Sequence, residues 1–182
     1  ETGFGTGLNF FTTWRRLNEL NQQTSKKIKL TFTSFEKFPL SRLDLNRALS
    51  LWPELAELTG EFIEQYPAQL EQKNQFKLAN GNITLNLLIG DVNQLIPKLE
   101  LNQANLIQAW YLDGFSPAKN PKMWSNELFQ QLARLSISQA TISTFTVAGF
   151  IRRGLQAVGF RLEKSTYQGK KTEILTGRYQ QN

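Results

Sequence analysis

Glu1-Thr2-Gly3-Phe4-Gly5-Thr6-Gly7 is the stretch on which the reading of this chain turns. Alternating glycines let a backbone turn tightly and come close to a ligand. The next residues, Thr6 to Leu20, are predicted as a helix, with Leu8, Phe11, Leu17 and Leu20 broadly on one face. The free N–H groups of that helix start would face whatever the loop holds. Dinucleotide sites use the same devices at the spacing G-x-G-x-x-G. Here the spacing is G-x-G-x-G after an acid, which favours a cofactor without a pyrophosphate. Glu1 would pair with a cationic group or support the loop from beside it; the plainer alternative is an ordinary glycine-rich turn.

Apolar runs then alternate with amphipathic ones, which predicts an α/β fold with a mostly parallel sheet. Strands are predicted at Ile28–Phe35, Phe76–Ala79, Ile83–Ile89, Ala104–Leu112 and Ala140–Phe145. Asn80-Gly81-Asn82 between the second and third is a hairpin signal. Helices are predicted at Arg42–Leu51, Glu54–Gln65, Val92–Leu99 (cut by Pro97), Trp124–Leu135 and Ala148–Val158, with Gly159 as a C-cap. Arg161–Ser165 and Lys171–Thr176 close the chain as an antiparallel final pair across Tyr167-Gln168-Gly169-Lys170.

Acids fall at the ends of three predicted strands, where open α/β sheets bind ligands. Glu36, followed by Lys37, is placed to hold both hydroxyls of a ribose; otherwise it is a surface residue capping a turn. Asp91, after Gly90, would accept from an adenine amino group or cap the next helix. Asp113 opens Asp113-Gly114-Phe115-Ser116-Pro117, which has the make-up of a shaped active-site loop. Beyond it, Lys119 and Lys122 would meet phosphate, and Trp124 would stack on a base or, more simply, anchor its helix in the core.

Composition sets the outer limits. With 21 basic and 15 acidic side chains the net charge is +6, which suits a polyanion such as RNA as well as it suits solubility. Cysteine is absent, which excludes disulfides and thiolate metal sites and fits a reducing cytoplasm. Histidine is absent too, so acid–base chemistry falls to Asp, Glu, Lys or Tyr, and no metal site is expected. No apolar run approaches the roughly 18 residues of a membrane span.

Taken together, Glu1–Phe10 (ETGFGTGLNF), Phe35–Leu40 (FEKFPL), Trp52–Leu55 (WPEL), Gly90-Asp91, Trp110–Trp124 (WYLDGFSPAKNPKMW) and Thr144–Gly154 (TFTVAGFIRRG) resemble one family. It is the methyltransferase domain of the bacterial bifunctional tRNA 5-methylaminomethyl-2-thiouridine biosynthesis protein (MnmC type). The resemblance implies a class I, Rossmann-like sheet and S-adenosylmethionine as cofactor. The methyl acceptor would be the aminomethyl nitrogen of a modified wobble uridine in tRNA. It also implies an FAD-dependent oxidase domain, absent from these residues, that supplies the amine. Glu1, Gly3, Phe4, Gly5, Gly7, Glu36, Lys37, Asp91 and Asp113 then form the cofactor set. Asp113 holds or deprotonates the amine, and Lys119, Lys122, Arg152, Arg153, Lys170 and Lys171 are the RNA contacts. Gly169-Lys170-Lys171-Thr172-Glu173 departs from the family's Gly-Arg-Lys-Arg-Glu segment. The competing readings are a nucleotide-dependent oxidoreductase and an inactive RNA-binding fragment.

The class I sheet carries one more expectation. Its strand before the glycine loop is central, between Ile28–Phe35 and Ala104–Leu112. With Glu1 as the first residue, the single domain 1–182 is expected to lack that strand. Its neighbours would stand roughly 9–10 Å apart or collapse together, and the chain would be unstable alone.

Overall fold

The computed structural model describes residues 1–25, 27–100, 102, 106–114, 117–166 and 173–180. They fall into two compact units, Glu1–Asp91 and Val92–Asn182.

The first unit runs α1 (Leu8–Gln23), β1 (Leu30–Glu36), α2 (Arg42–Leu49), a 3-10 turn (Pro53–Leu55), α3 (Ala56–Gln65), β2 (Lys73–Leu78) and β3 (Ile83–Ile89). Its sheet has the order β1-β3-β2, with β1 parallel and β2 antiparallel to β3. The predicted hairpin forms, pairing Leu78 with Ile83 across a turn in which Ala79, Asn80 and Gly81 all have positive φ. Asn and Gly tolerate that region at small cost, which is why the Asn-Gly pair marks the turn in the sequence. The face of α1 needs correction. Phe10, Phe11 and Trp14 are buried, whereas Leu8, Leu17 and Leu20 are only half-buried. Phe10 meets Phe32 of β1 edge-on at 5.3 Å, and Phe11 meets Phe62 of α3 at 5.5 Å. Tyr66 and Phe76 extend this aromatic core, each buried ring contributing about 1.5–3 kcal/mol.

The first residues run along β1. The Glu1 N–H donates to Thr33 O (2.9 Å), Phe35 N–H to Glu1 O (3.2 Å) and Phe4 N–H to Phe35 O (3.0 Å). Gly90 N–H meanwhile donates to Glu36 O, and alternate residues of a strand point to opposite sides. Glu1 therefore occupies the edge of β1 away from β3. Glu1 to Phe4 thus lie along the carboxyl-terminal end of that edge without forming a strand there.

The second unit comprises α4 (Val92–Leu95) with a 3-10 turn (Ile96–Lys98), β4 (Ile107–Leu112), a 3-10 turn (Pro121–Trp124), α5 (Asn126–Leu135), β5 (Ser136–Thr144), α6 (Gly149–Ala157), β6 (Phe160–Thr166) and β7 (Glu173–Tyr179). Its sheet has the order β4-β5-β7-β6. The final antiparallel pair is present as β6–β7, with β7 also antiparallel to β5. Only β1–β3 and β4–β5 are parallel, so the mostly parallel sheet expected from the alternation of elements is not what the described strands form. Trp124 lies ahead of its helix: extended Ser125 is the N-cap of α5, its Oγ accepting from Leu128 N–H at 3.1 Å. β5 begins at Ser136, four residues before the expected start. Ser136 Oγ accepts from Trp110 Nε1 (2.8 Å) and donates to Leu132 O (2.7 Å), which satisfies a hydroxyl the apolar pattern does not reveal. Trp110, Leu112, Ala140, Ile142 and Leu175 are buried in the sheet, as are Leu128, Phe129 and Leu132 of α5 and Ile151 and Leu155 of α6.

Candidate cofactor and substrate site

In the first unit the glycine loop, the end of β1 and the end of β3 come together. Gly5 has φ +54° and open space around it, and its N–H donates to Glu36 Oε2 at 2.8 Å. The other oxygen of Glu36 accepts from Phe38 N–H, also at 2.8 Å. Glu36 thus fixes the glycine loop and the chain leaving β1 at once, and it remains half-exposed. Its strand neighbour across the parallel ladder is Ile89, two residues before Asp91. Lys37 Nζ reaches Asp91 Oδ2 at 2.9 Å and lies 5.7 Å from the centre of the Phe38 ring.

Other members of the expected set turn inward. Glu1 is 6% exposed; its carboxylate accepts from Asn9 Nδ2 (2.8 Å) and Ser34 Oγ (2.7 Å). These bonds join the loop to α1 and β1. The Phe4 ring is buried against Phe10 and Phe62. Gly7 has φ +78° and begins α1, and a Cβ there would lie 2.7 Å from the Phe4 ring. A side chain at Gly7 would therefore disturb both the turn and the packing beneath the loop. Gly3 is half-buried within the same loop.

In the second unit Asp113 follows β4 and is half-buried. Its Oδ1 accepts from Gly114 N–H at 2.7 Å. Gly114 has φ +138°, and a Cβ there would stand 2.6 Å from Met123 Cε, so the loop folds closely over Met123. Lys119 and Lys122 are exposed, and the Lys122 carbonyl accepts from Asn93 Nδ2 at 2.9 Å. Trp124 is 4% exposed and meets Phe145 edge-on at 6.1 Å, so it is the core anchor and its ring is not presented to a base. Arg152 and Arg153 are exposed in the first half of α6. Lys170 and Lys171, with Phe115 and Ser116 of the Asp113 loop, lie outside the described residues. Among the described residues no acidic group forms a metal cluster, and no helix is long and apolar enough to cross a membrane.

The residues of the first unit suit an adenosyl group. Two carboxylates stand at neighbouring strand ends, able to accept from vicinal hydroxyls and an exocyclic amine, beside a loop with open space at Gly5. Sequence reading missed two features of this site. One is the Lys37–Asp91 pair, which needs the β1–β3 adjacency to be seen. The other is Asn9, which binds Glu1 from one turn into α1 and has no signature of its own.

Comparison with known proteins agrees. The chain is 49% identical over 177 residues to the tRNA 5-methylaminomethyl-2-thiouridine biosynthesis bifunctional protein MnmC of Aeromonas hydrophila subsp. hydrophila, covering 97% of this chain and 27% of that protein. It is 48% identical over 179 residues to the MnmC protein of Pseudomonas syringae pv. syringae, covering 98% of this chain and 26% of that one. The chain thus spans about a quarter of the length of these curated relatives. The crystal structure of MNMC2 from Aquifex aeolicus shares the fold, with a TM-score of 0.75 at 23% identity over 97% of this chain and 51% of that one. A model of the S-adenosyl-L-methionine-dependent methyltransferases matches residues 53–180. With the strand-end acids and glycine loop in place and that match spanning most of its length, the chain belongs to the S-adenosyl-L-methionine-dependent methyltransferase family.

Proposed function

We propose that this chain methylates the aminomethyl nitrogen of 5-aminomethyl-2-thiouridine at the wobble position of tRNA. The observation that carries the substrate is the 48–49% identity to proteins named for making the 5-methylaminomethyl form. The first unit would hold the cofactor: Glu36 at the ribose, Asp91 at the adenine amino group, Gly3, Gly5 and Gly7 through the loop backbone. Glu1 and Phe4 would brace that loop from below, and Lys37 would hold Asp91. S-adenosylmethionine, when bound, supplies an electrophilic methyl group on a sulfonium.

Asp113 would work on the acceptor. A free alkylamine is largely protonated near neutral pH and must lose a proton to expose its lone pair. With no histidine in the chain, the Asp113 carboxylate would hold the ammonium form and take its proton. Its bond from Gly114 N–H fixes one oxygen, which gives the group a defined direction and supports the positioning that methyl transfer needs. Lys119, Lys122, Arg152 and Arg153 would meet tRNA phosphates, as would Lys170 and Lys171. An FAD-dependent oxidase, in the same polypeptide or a separate one, would supply the primary amine, and tRNA as substrate would place the reaction in the cytoplasm.

The test is methyl incorporation from labelled cofactor into tRNA of a strain that accumulates the aminomethyl form. Label should appear in the 5-methylaminomethyl nucleoside and be absent with tRNA already carrying it. Cofactor binding without label transfer to that tRNA would overturn the substrate assignment.

A further inference from the structure

The stretch from Phe38 to Trp52 combines exposed apolar side chains with exposed arginines. Phe38 is 70% exposed, Leu43 60%, Leu51 78% and Trp52 41%. Between the two aromatic residues runs α2, whose Leu45 and Leu49 are buried and whose Leu43 and Arg47 lie one turn apart on the solvent side. Arg42 is exposed with no ion pair among the described residues, and Arg47 has only a 3.9 Å approach to Asp44 across two solvated side chains. An eight-residue helix is about 12 Å long, so Phe38 and Trp52 flank a strip comparable to the reach of a few nucleotides of single strand.

The strip is also fixed to the candidate site. Phe38 N–H donates to Glu36, the carboxylate that grips Gly5. Trp52 N–H donates to Leu49 O and its carbonyl accepts from Leu55 N–H, with Leu55 buried. Both rings thus project from anchored backbone. Exposed aromatic side chains interleaved with arginines match unpaired nucleobases joined by phosphates. A base turned out for modification leaves its neighbours unstacked and in need of such surfaces.

We infer that Phe38 and Trp52, with Arg42 and Arg47 between them, form a stacking surface for unpaired nucleotides of the RNA substrate. This inference rests on the proposed tRNA activity. It assigns the first unit a share in RNA binding beyond the lysines and arginines of the second.

Trp52 provides its own probe. Of the four tryptophans, Trp14, Trp110 and Trp124 are buried and Trp52 alone is exposed. Acrylamide quenching of the chain's fluorescence therefore reports mainly on Trp52. Adding a tRNA anticodon stem-loop should protect it, whereas a duplex of the same length should not. Trp52→Ala and Phe38→Ala should each weaken stem-loop binding about five-fold or more, and Trp52→Phe should restore most of the loss. Trp52→Ala should leave S-adenosylmethionine affinity within about two-fold, which also shows that the variant is folded. Equal stem-loop affinity of wild type, Trp52→Ala and Phe38→Ala would overturn the inference and leave the proposed function standing. Self-association of the RNA-free chain that Trp52→Ala abolishes, with RNA affinity unchanged, would make the strip a protein interface and overturn it too. A wild-type chain that binds cofactor but no RNA would overturn the proposed substrate and this inference together.

Discussion

Lys37 Nζ lies 2.9 Å from Asp91 Oδ2 and so ties the loop after β1 to the loop after β3. Both side chains are partly solvated, 52% and 29% exposed, so the pair contributes only about 0–1 kcal/mol to folding. Its larger effect is to hold a carboxylate in one direction at a strand end. Lys37→Met should therefore change chemical-denaturation stability by less than about 1 kcal/mol yet weaken S-adenosylmethionine binding several-fold. Lys37→Arg should retain most of the affinity. Titration calorimetry checks this, and an unchanged Lys37→Met affinity would remove the pair from cofactor binding.

Glu36 has more to lose, because its two oxygens accept from Gly5 and Phe38 N–H groups. Glu36→Ala leaves both donors without this partner and removes the proposed ribose acceptor. A loss of about 1–3 kcal/mol in cofactor binding is expected. Glu36→Gln keeps one acceptor oxygen and should lose less. The same calorimetry ranks the two variants, and the reverse order would contradict the assignment.

Asp113→Ala should keep the fold and much of the cofactor affinity while losing most methyl transfer. Asp113→Asn separates two roles. The amide can still accept from Gly114 N–H and keep the loop's shape, but it cannot take a proton. Residual turnover of Asp113→Asn that rises with pH, as free amine replaces ammonium, supports proton acceptance. Near wild-type turnover at neutral pH would leave Asp113 with orientation alone.

The sequence revealed the loop, the strand-end acids and the final hairpin because each depends on neighbours in the chain. Glycine spacing, an acid after an apolar run and the Asn-Gly turn are local signals. The inward turn of Glu1 and Phe4 was not legible in the same way. It depends on Asn9, Ser34 and Phe62, and the last two reach the loop only through tertiary packing. The buried face of α1 differs from the expected one for a related reason. Phe10, Phe11 and Trp14 outbid the more evenly spaced leucines because aromatic partners on β1 and α3 await them. The share of antiparallel pairing was hidden because β7 inserts between β5 and β6, a choice of neighbour that hydrophobic periodicity does not encode.

Tyr66 carries a pH prediction. It is buried, and its hydroxyl donates to Leu40 O at 2.9 Å. Burial first, and the charge of Glu36 second, push its pKa above the usual 10.0. Above that value the unfolded chain loses the tyrosine proton while the folded chain keeps it. Fewer protons on the unfolded state make stability fall as pH rises. The contribution is fully present below pH 10.0 and is lost as pH climbs from there toward the raised folded value. Tyr66→Phe should flatten that alkaline decline in urea midpoints measured from pH 9 to 11, at some cost from the lost hydrogen bond at neutral pH.

Three glycines should respond to alanine in a fixed order. At Gly177 in β7 a Cβ would lie 2.2 Å from Arg161 O and 3.0 Å from Arg161 C, both backbone atoms of the paired strand. Nothing there can yield without opening the β6–β7 ladder, so Gly177→Ala should destabilise most, by several kcal/mol or to the point of unfolding. At Gly154 in α6 the Cβ would meet Cε2 and Cδ2 of Phe129 at 2.5 and 2.6 Å. That ring belongs to α5 and can tilt, and alanine returns up to about 1 kcal/mol of helix propensity. A net loss of about 1–2 kcal/mol is expected. At Gly60 in α3 there is nothing within 4 Å of the Cβ position. Alanine there meets no obstacle, favours the helix and reduces the freedom of the unfolded chain, so Gly60→Ala should stabilise by about 0.5–1 kcal/mol. Urea denaturation of the three variants gives the order directly. A Gly177→Ala protein as stable as wild type would mean that β6 and β7 do not pair in the register that joins Leu162 to Gly177.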